Sequence, residues 1–177
     1  MPRLFVALRP PPEMRRSLLA AMGGITGARW QDEAQLHLTL RFLGDVDGPM
    51  AEDVDGALGA VTGPRPTIAL SGTGLFARKG VPHTIWAGVT ADAALGTLRA
   101  RIERALVAAG MPPERRAFQP HITLARLNRS AGPVDIFLQE TALLRGPPAA
   151  LDAFLLYQSH LCRDGAVYEA IARYPLR

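Results

Sequence analysis

Two tetrapeptides constrain this chain more than any other feature: His37-Leu38-Thr39-Leu40 and His121-Ile122-Thr123-Leu124. They use two of only four histidines and lie 84 positions apart in a chain of 177 residues. With ten threonines and twenty-four leucines available, two such matches among four histidines arise by chance on the order of once in several thousand. A strand has a period of two, so His and Thr share one face while Leu38, Leu40, Ile122 and Leu124 share the other. The repeat therefore calls for two equivalent strands, each burying an apolar face and turning an imidazole and a hydroxyl toward common space.

The flanking patterns repeat in the same order. Leu4 to Arg9 reads as a buried strand, Pro12 to Met22 as a helix with Met14, Leu18 and Met22 on one stripe, and Leu36 to Leu43 as an alternating strand. Asp47 then caps a helix bearing Met50, Val54, Leu58 and Val61, and a strand follows in Thr67 to Phe76. The second half offers a strand in Thr84 to Val89, a helix over Asp92 to Ala109 with Leu95, Leu98, Ile102 and Leu106, and a strand in Phe118 to Leu127. A weaker helix near Val134 to Leu144 and strands in Asp152 to Ser159 and Ala166 to Arg173 complete it. The expected fold is α+β, with two pseudo-symmetric lobes, each a mainly antiparallel sheet with flanking helices, around a central cleft. It is expected to be one bilobal domain over 1–177, with approximate repeat halves 1–80 and 81–177.

Composition narrows the class. Hydrophobic residues make up 48% and charged residues 20%, which excludes disorder as the main state. The single cysteine, Cys162, excludes an internal disulfide and a Cys-based zinc cage, and fits a reducing cytoplasm. The apolar stretch Leu4 to Leu8 is too short for a signal peptide or a membrane span. Nineteen of twenty basic residues are arginine and the net charge is +4, which favours an anionic partner, although codon bias produces the same excess.

Two imidazoles and two hydroxyls around one cleft suit a phosphodiester. One neutral imidazole takes a proton from water or a hydroxyl, the other, protonated, gives one to the leaving oxygen, and an ordinary pKa near 6.5 makes both states accessible. Thr39 and Thr123 would donate to the non-bridging oxygens. The competing reading of each His as a polar residue on a solvated strand face explains one motif better than a matched pair. No carboxylate or second His stands at ligand spacing, so no metal and no cofactor are expected. His83 and His160 lack the threonine and read as ordinary histidines; Trp30, Trp86 and Tyr157 are candidate base-stacking rings without an assigned role, and Cys162 reads as inert.

The two motifs, with the contexts RLFVAL, HLTLRFLG, PHITLAR, WAGV and YQSHL followed by GAVYEAIARYPL, resemble the 2H phosphoesterase superfamily, specifically the LigT-like RNA 2′,3′-cyclic phosphodiesterases once called 2′-5′ RNA ligases. The resemblance implies hydrolysis of an RNA-terminal ribose 2′,3′-cyclic phosphate to a 2′-phosphate, with His37 the proton donor and His121 the proton acceptor. It also implies substrate contacts from Arg126 and Phe42. Strand parity opposes those two, each an odd number of residues from its histidine, unless a bulge or strand end intervenes. Parity instead favours Arg41 as the phosphate-facing cation, against a solvated surface role. The expected partners are RNA ends or nucleotides bearing the cyclic phosphate, with no membrane and no obligate protein partner, and the chain is expected to be a monomer. Reverse 2′-5′ ligation, a small substrate such as ADP-ribose 1″,2″-cyclic phosphate, and a non-catalytic RNA-binding module are the alternatives. Without a phosphate-activating motif, hydrolysis should outrun ligation.

Overall fold

A computed structural model describes residues 1–177. The chain runs β1 (Arg3–Leu8), α1 (Pro12–Ala21), β2 (Arg29–Trp30), a 3₁₀ turn (Glu33–Gln35), β3 (Leu38–Asp45), α2 (Gly48–Gly59) and β4 (Thr67–Arg78). It continues with β5 (Val81–Ala91), α3 (Ala93–Ala108), β6 (His121–Arg126), α4 (Asp135–Glu140), β7 (Ala149–Ala150), β8 (Ala153–Cys162) and β9 (Gly165–Pro175). The expected α+β architecture of two antiparallel lobes is the one adopted. Strand order is β7-β4-β5-β6-β3-β1-β8-β9, with β2 added alongside β6. The lobes exchange strands: β4 from the first half pairs with β5, while β8 from the second half pairs with β1.

The helices form where the periodicity places them. Asp47 caps α2 by accepting from the Met50 N–H at 2.9 Å, and Leu95, Leu98, Ile102 and Leu106 of α3 are all buried. Burying each such side chain contributes about 2 kcal/mol. These residues join Leu4, Val6 and Leu8 of β1, Leu38 and Leu40 of β3, and Ile122 and Leu124 of β6 in one continuous core. Phe5 and Ala7, on the other face of β1, belong instead to a small separate cluster with Tyr157. One sheet face thus carries the helices and the other is left for a groove. The short pieces β2, β7 and the 3₁₀ turn were invisible to periodicity because two or three residues carry none.

Parity fails just after each motif, for the same reason. β1 pairs Val6 with Arg41 and Ala7 with Thr39, leaving Leu40 as an extra residue; β5 pairs Ile85 with Ala125 and Trp86 with Thr123, leaving Leu124 extra. Each is a β-bulge, which returns the next residue to the face it would have left. Residues 38–42 and 122–126 consequently share one burial sequence: buried, half-buried, buried, buried, exposed.

Arg41 therefore neither faces phosphate nor lies in solvent, contrary to both readings offered by its position. It is 7% exposed, its Nε donates to Glu103 Oε2 at 2.8 Å, and its other nitrogens donate to the carbonyls of Phe42 and Pro112. Glu103 in turn accepts from the Glu114 N–H at 2.7 Å, so the cluster ties β3 and α3 to the loop that leads into β6. Removing one partner of such a buried group leaves the others unpaired. We expect Arg41→Ala to lower unfolding free energy in a denaturant titration by about 3 kcal/mol, with the activity of the folded fraction retained; a loss below about 0.5 kcal/mol would place this arginine among ordinary surface residues.

Candidate active site

β3 and β6 meet through a single residue pair, Leu38 opposite Ile122. Carrying that antiparallel register one residue either way sets His37 opposite Thr123 and Thr39 opposite His121. A pseudo-twofold axis therefore passes through the Leu38–Ile122 pair, and both motifs deliver their polar groups to the same stretch of groove. The two histidines and two threonines that the sequence singled out are brought together here.

The rings are held alike. His37 donates its Nδ1–H to the carbonyl of Gln35 at 2.6 Å, and His121 donates its Nδ1–H to the carbonyl of Gln119 at the same distance, 2.6 Å. Each bond spans two residues back along the chain, and a glutamine stands at that place in both motifs, a signal available in the sequence but not used. With Nδ1 committed, Nε2 of each neutral ring carries the free lone pair. Gln35 is itself fixed by a capping box, accepting from and donating to Asp32 at 2.9 Å, and its Nε2 donates to the carbonyl of Ala166 on β9 at 2.6 Å.

The walls differ. His37 lies against Phe5 at 4.8 Å, edge-on to Tyr168 at 5.1 Å and 6.2 Å from Tyr157. His121 meets the edge of Phe76 at 4.9 Å and Trp86 at 6.2 Å. The Trp86 indole crosses β4 at Gly74, where a Cβ would come within 2.3 Å of the ring, so only glycine lets it lie there. Trp86 and Tyr157 thus pack beside the histidines, whereas Trp30 stacks obliquely on Phe137 away from them.

The Leu124 bulge brings Arg126 onto the histidine face, where its charge acts on both rings; its Nη1 donates to Thr84 Oγ1 at 3.1 Å. Thr84 is 1% exposed and also hydrogen-bonds His83 at 2.8 Å, which makes it a support for Arg126 that no sequence signal announced. Phe42, brought round by the matching bulge at Leu40, is half exposed and 6.1 Å from Phe5. Arg126 and Phe42 occupy equivalent places in the two motifs, so the pseudo-symmetry is broken by one cation and one ring. His160 lies 3.2 Å from Glu169, with no threonine partner two residues on.

Burial dominates the electrostatics of the pair. Desolvation, with smaller repulsion from Arg126 and His121, pushes His37 down to about 4, against the favourable bond from Gln35. His121 is lowered too, by burial first and Arg126 second. The expectation of ordinary imidazoles near 6.5 is therefore corrected: in the free site both rings are neutral at pH 7. No group of three or more His, Cys, Asp or Glu is disposed to hold a metal ion, and no helix is long and apolar enough to cross a membrane.

A family model for LigT-like phosphoesterases matches the chain twice, over residues 8–86 and 89–168. The chain belongs to the LigT-like phosphoesterase family. The two matches coincide with the repeat seen in the register, one motif in each. Among curated relatives, an RNA 2′,3′-cyclic phosphodiesterase of Aeropyrum pernix is 33% identical, over 79% of this chain and 81% of that protein. One of Thermus thermophilus is 33% identical over 99% and 90% respectively. Among solved structures, the TT0787 protein of Thermus thermophilus superposes with a TM-score of 0.79 at 28% identity, covering 99% of this chain and 98% of that one. Apo LigT of Escherichia coli gives 0.75 at 25% identity, over 99% and 98%.

Burial of His37 has a stability consequence as well. An unfolded histidine takes up a proton near pH 6.5 and the folded one only near 4, so its contribution is complete above about 6.5 and is lost as pH falls toward 4. We expect the thermal midpoint of His37→Gln to fall less than wild type does between pH 7 and about 4.5; equal falls would contradict the burial argument.

Proposed function

We propose that this protein opens the ribose 2′,3′-cyclic phosphate at RNA 3′ ends, leaving a 2′-phosphate, by metal-independent acid–base catalysis from His37 and His121. The observation that carries this reading is the matched pair of Nδ1-anchored rings flanking one residue pair, each with a free Nε2 and a threonine opposite it. His121 Nε2 accepts a proton from water as its oxygen bonds to phosphorus. His37 Nε2 donates a proton to the 3′ oxygen as that P–O bond breaks, and the pair returns to its starting state after exchange with solvent. Thr39, Thr123 and Arg126 stabilise the charge that grows on the non-bridging oxygens, and Phe42 packs against the nucleoside. His37 is too poorly solvated to hold its proton in the empty groove, so the anionic phosphate itself supplies the field that charges it.

With a 5′-hydroxyl in place of water as nucleophile, the same groups would form a P–O5′ bond as the P–O3′ bond breaks and so join two RNA ends, but ring strain drives both openings alike and water at about 55 M favours hydrolysis. The single cysteine, Cys162, is free and exposed, which supports action in a reducing cytoplasm.

In buffer containing EDTA, the protein should open a cyclic-phosphate-ended oligonucleotide and yield the 2′-phosphate isomer. His37→Ala and His121→Ala should each lower kcat by about 10²–10⁴-fold while remaining folded. Near-wild-type turnover in both variants would exclude the paired-imidazole site, and affinity without turnover in wild type would favour an RNA-binding module. Activity confined to ADP-ribose 1″,2″-cyclic phosphate would move the assignment to that substrate.

The pH profile gives a separate check. With His37 at about 4 and His121 also below its ordinary value, the singly protonated pair is most populated on the acid side of 6.5. We expect kcat/KM to peak there and to fall about tenfold per pH unit on the alkaline limb. Arg126→Gln removes a cation that lowers both rings, so its bell, whatever its height, should sit at higher pH. A wild-type bell centred above pH 7, or one unmoved by that change, would contradict this.

A further inference from the structure

Beside the histidines lies a recess of which the reaction above uses only Arg126. It has a volume of about 400 Å³ and its lining includes Arg29, Gln31, Gln35, Arg126, Gly165 and Tyr168. Tyr168 also stands 5.1 Å from the His37 ring, so the recess opens into the groove. Its roof is the β8–β9 hairpin, where the backbone passes so close to Arg29 that a Cβ on Gly165 would lie 3.8 Å from the guanidinium.

The unusual feature is the charge arrangement. β2 pairs with β6 through Arg29 opposite Arg126, which sets two cationic side chains opposite each other on an antiparallel ladder. Like charges directly opposite each other are destabilising. No carboxylate relieves the repulsion, because neither arginine takes part in any of the ion pairs of the fold. Asp32, the nearest acidic residue by position, has its carboxylate engaged by the Gln35 N–H, and Asp164 lines the recess from the hairpin. A second, smaller recess of about 220 Å³, with Gly27 and Asn128 in its wall, adjoins the same two arginines from the other side. Two exposed arginines without an ion-pair partner, lining the same two recesses, form a site for more than one anionic group, since a guanidinium can grip a phosphate through N–H bonds.

We propose that Arg29 binds the phosphodiester immediately 5′ of the terminal nucleoside, while Arg126 serves the cyclic phosphate, so that the recess selects RNA chains over free cyclic nucleotides. This rests on the phosphodiesterase reading and extends it. A cyclic phosphate ends its strand, so the only other phosphate near it is the one on the 5′ side. β5 fills one edge of β6, so β2 lies on the edge β6 shares with β3, and Arg29 stands opposite Arg126 four residues along β6 from the Leu38–Ile122 rung, where it meets the chain after the terminal nucleoside has filled the groove. A mononucleotide without a 5′ phosphate gains nothing from this contact.

The test compares adenosine 2′,3′-cyclic phosphate with a short oligoribonucleotide ending in the same group, for wild type and Arg29→Gln. Wild type should show the higher kcat/KM on the oligonucleotide. Arg29→Gln should lose about tenfold on that substrate, mainly through KM. On the mononucleotide it should stay within about twofold of wild type, and the slope of log KM against log salt for the oligonucleotide should shrink by about one. Equal losses on both substrates would overturn the proposal and make Arg29 a support for Arg126, and no loss on either would overturn it too. In those cases wild-type turnover of the mononucleotide leaves the phosphodiesterase reading standing, whereas a wild type inactive on both substrates would remove the reading and the subsite together.

Discussion

The backbone pairing of Leu38 with Ile122 is the constraint on which the rest of the structure depends. It is the only rung between β3 and β6, and both side chains are fully buried in the common core. Because side chains alternate along a strand, burying these two residues turns their neighbours on either side to the opposite face, and the antiparallel register sets imidazole across from hydroxyl twice. On their other edges β3 pairs with β1 and β6 with β5, and past the rung β6 takes β2 along the edge it shares with β3. The core that holds the halves together thus also aims the two imidazoles and two hydroxyls into the groove.

Desolvation gives the site its character. Aromatic rings around His37 and His121 exclude water from one side of each imidazole, which makes the charged ring costly until an anion arrives. The cation that helps keep the rings neutral, Arg126, is the one proposed to attract the phosphate, and on that reading substrate binding and protonation of the pair are linked. The walls are unequal: three rings crowd His37 and two flank His121. This inequality distinguishes two positions that backbone symmetry alone would make interchangeable.

Much of this was legible in residue order. Period-two alternation located the motif strands, period-3.6 stripes located α1 to α3, and recurrence of His-x-Thr-Leu implied two related lobes before any coordinates. Parity went astray at Arg41 because an irregular ladder is invisible to a counting rule: the extra residues Leu40 and Leu124 look like any other apolar member of a strand. Those bulges bury Arg41 and release Phe42 and Arg126 to the groove, which resolves the conflict between the pattern of the family and the arithmetic of alternation. Strand exchange between the lobes was equally hidden, since it depends on which edges meet in space. Thr84 and Arg29 meet Arg126 from dozens of positions away and have no local signature.

A crystal structure with a bound nucleoside 2′-monophosphate tests the central claim most directly. The account predicts one phosphate seated across the Leu38–Ile122 rung, with oxygens within about 3 Å of Nε2 on both His37 and His121. A phosphate that reaches a single ring, or that settles outside the groove, would contradict it.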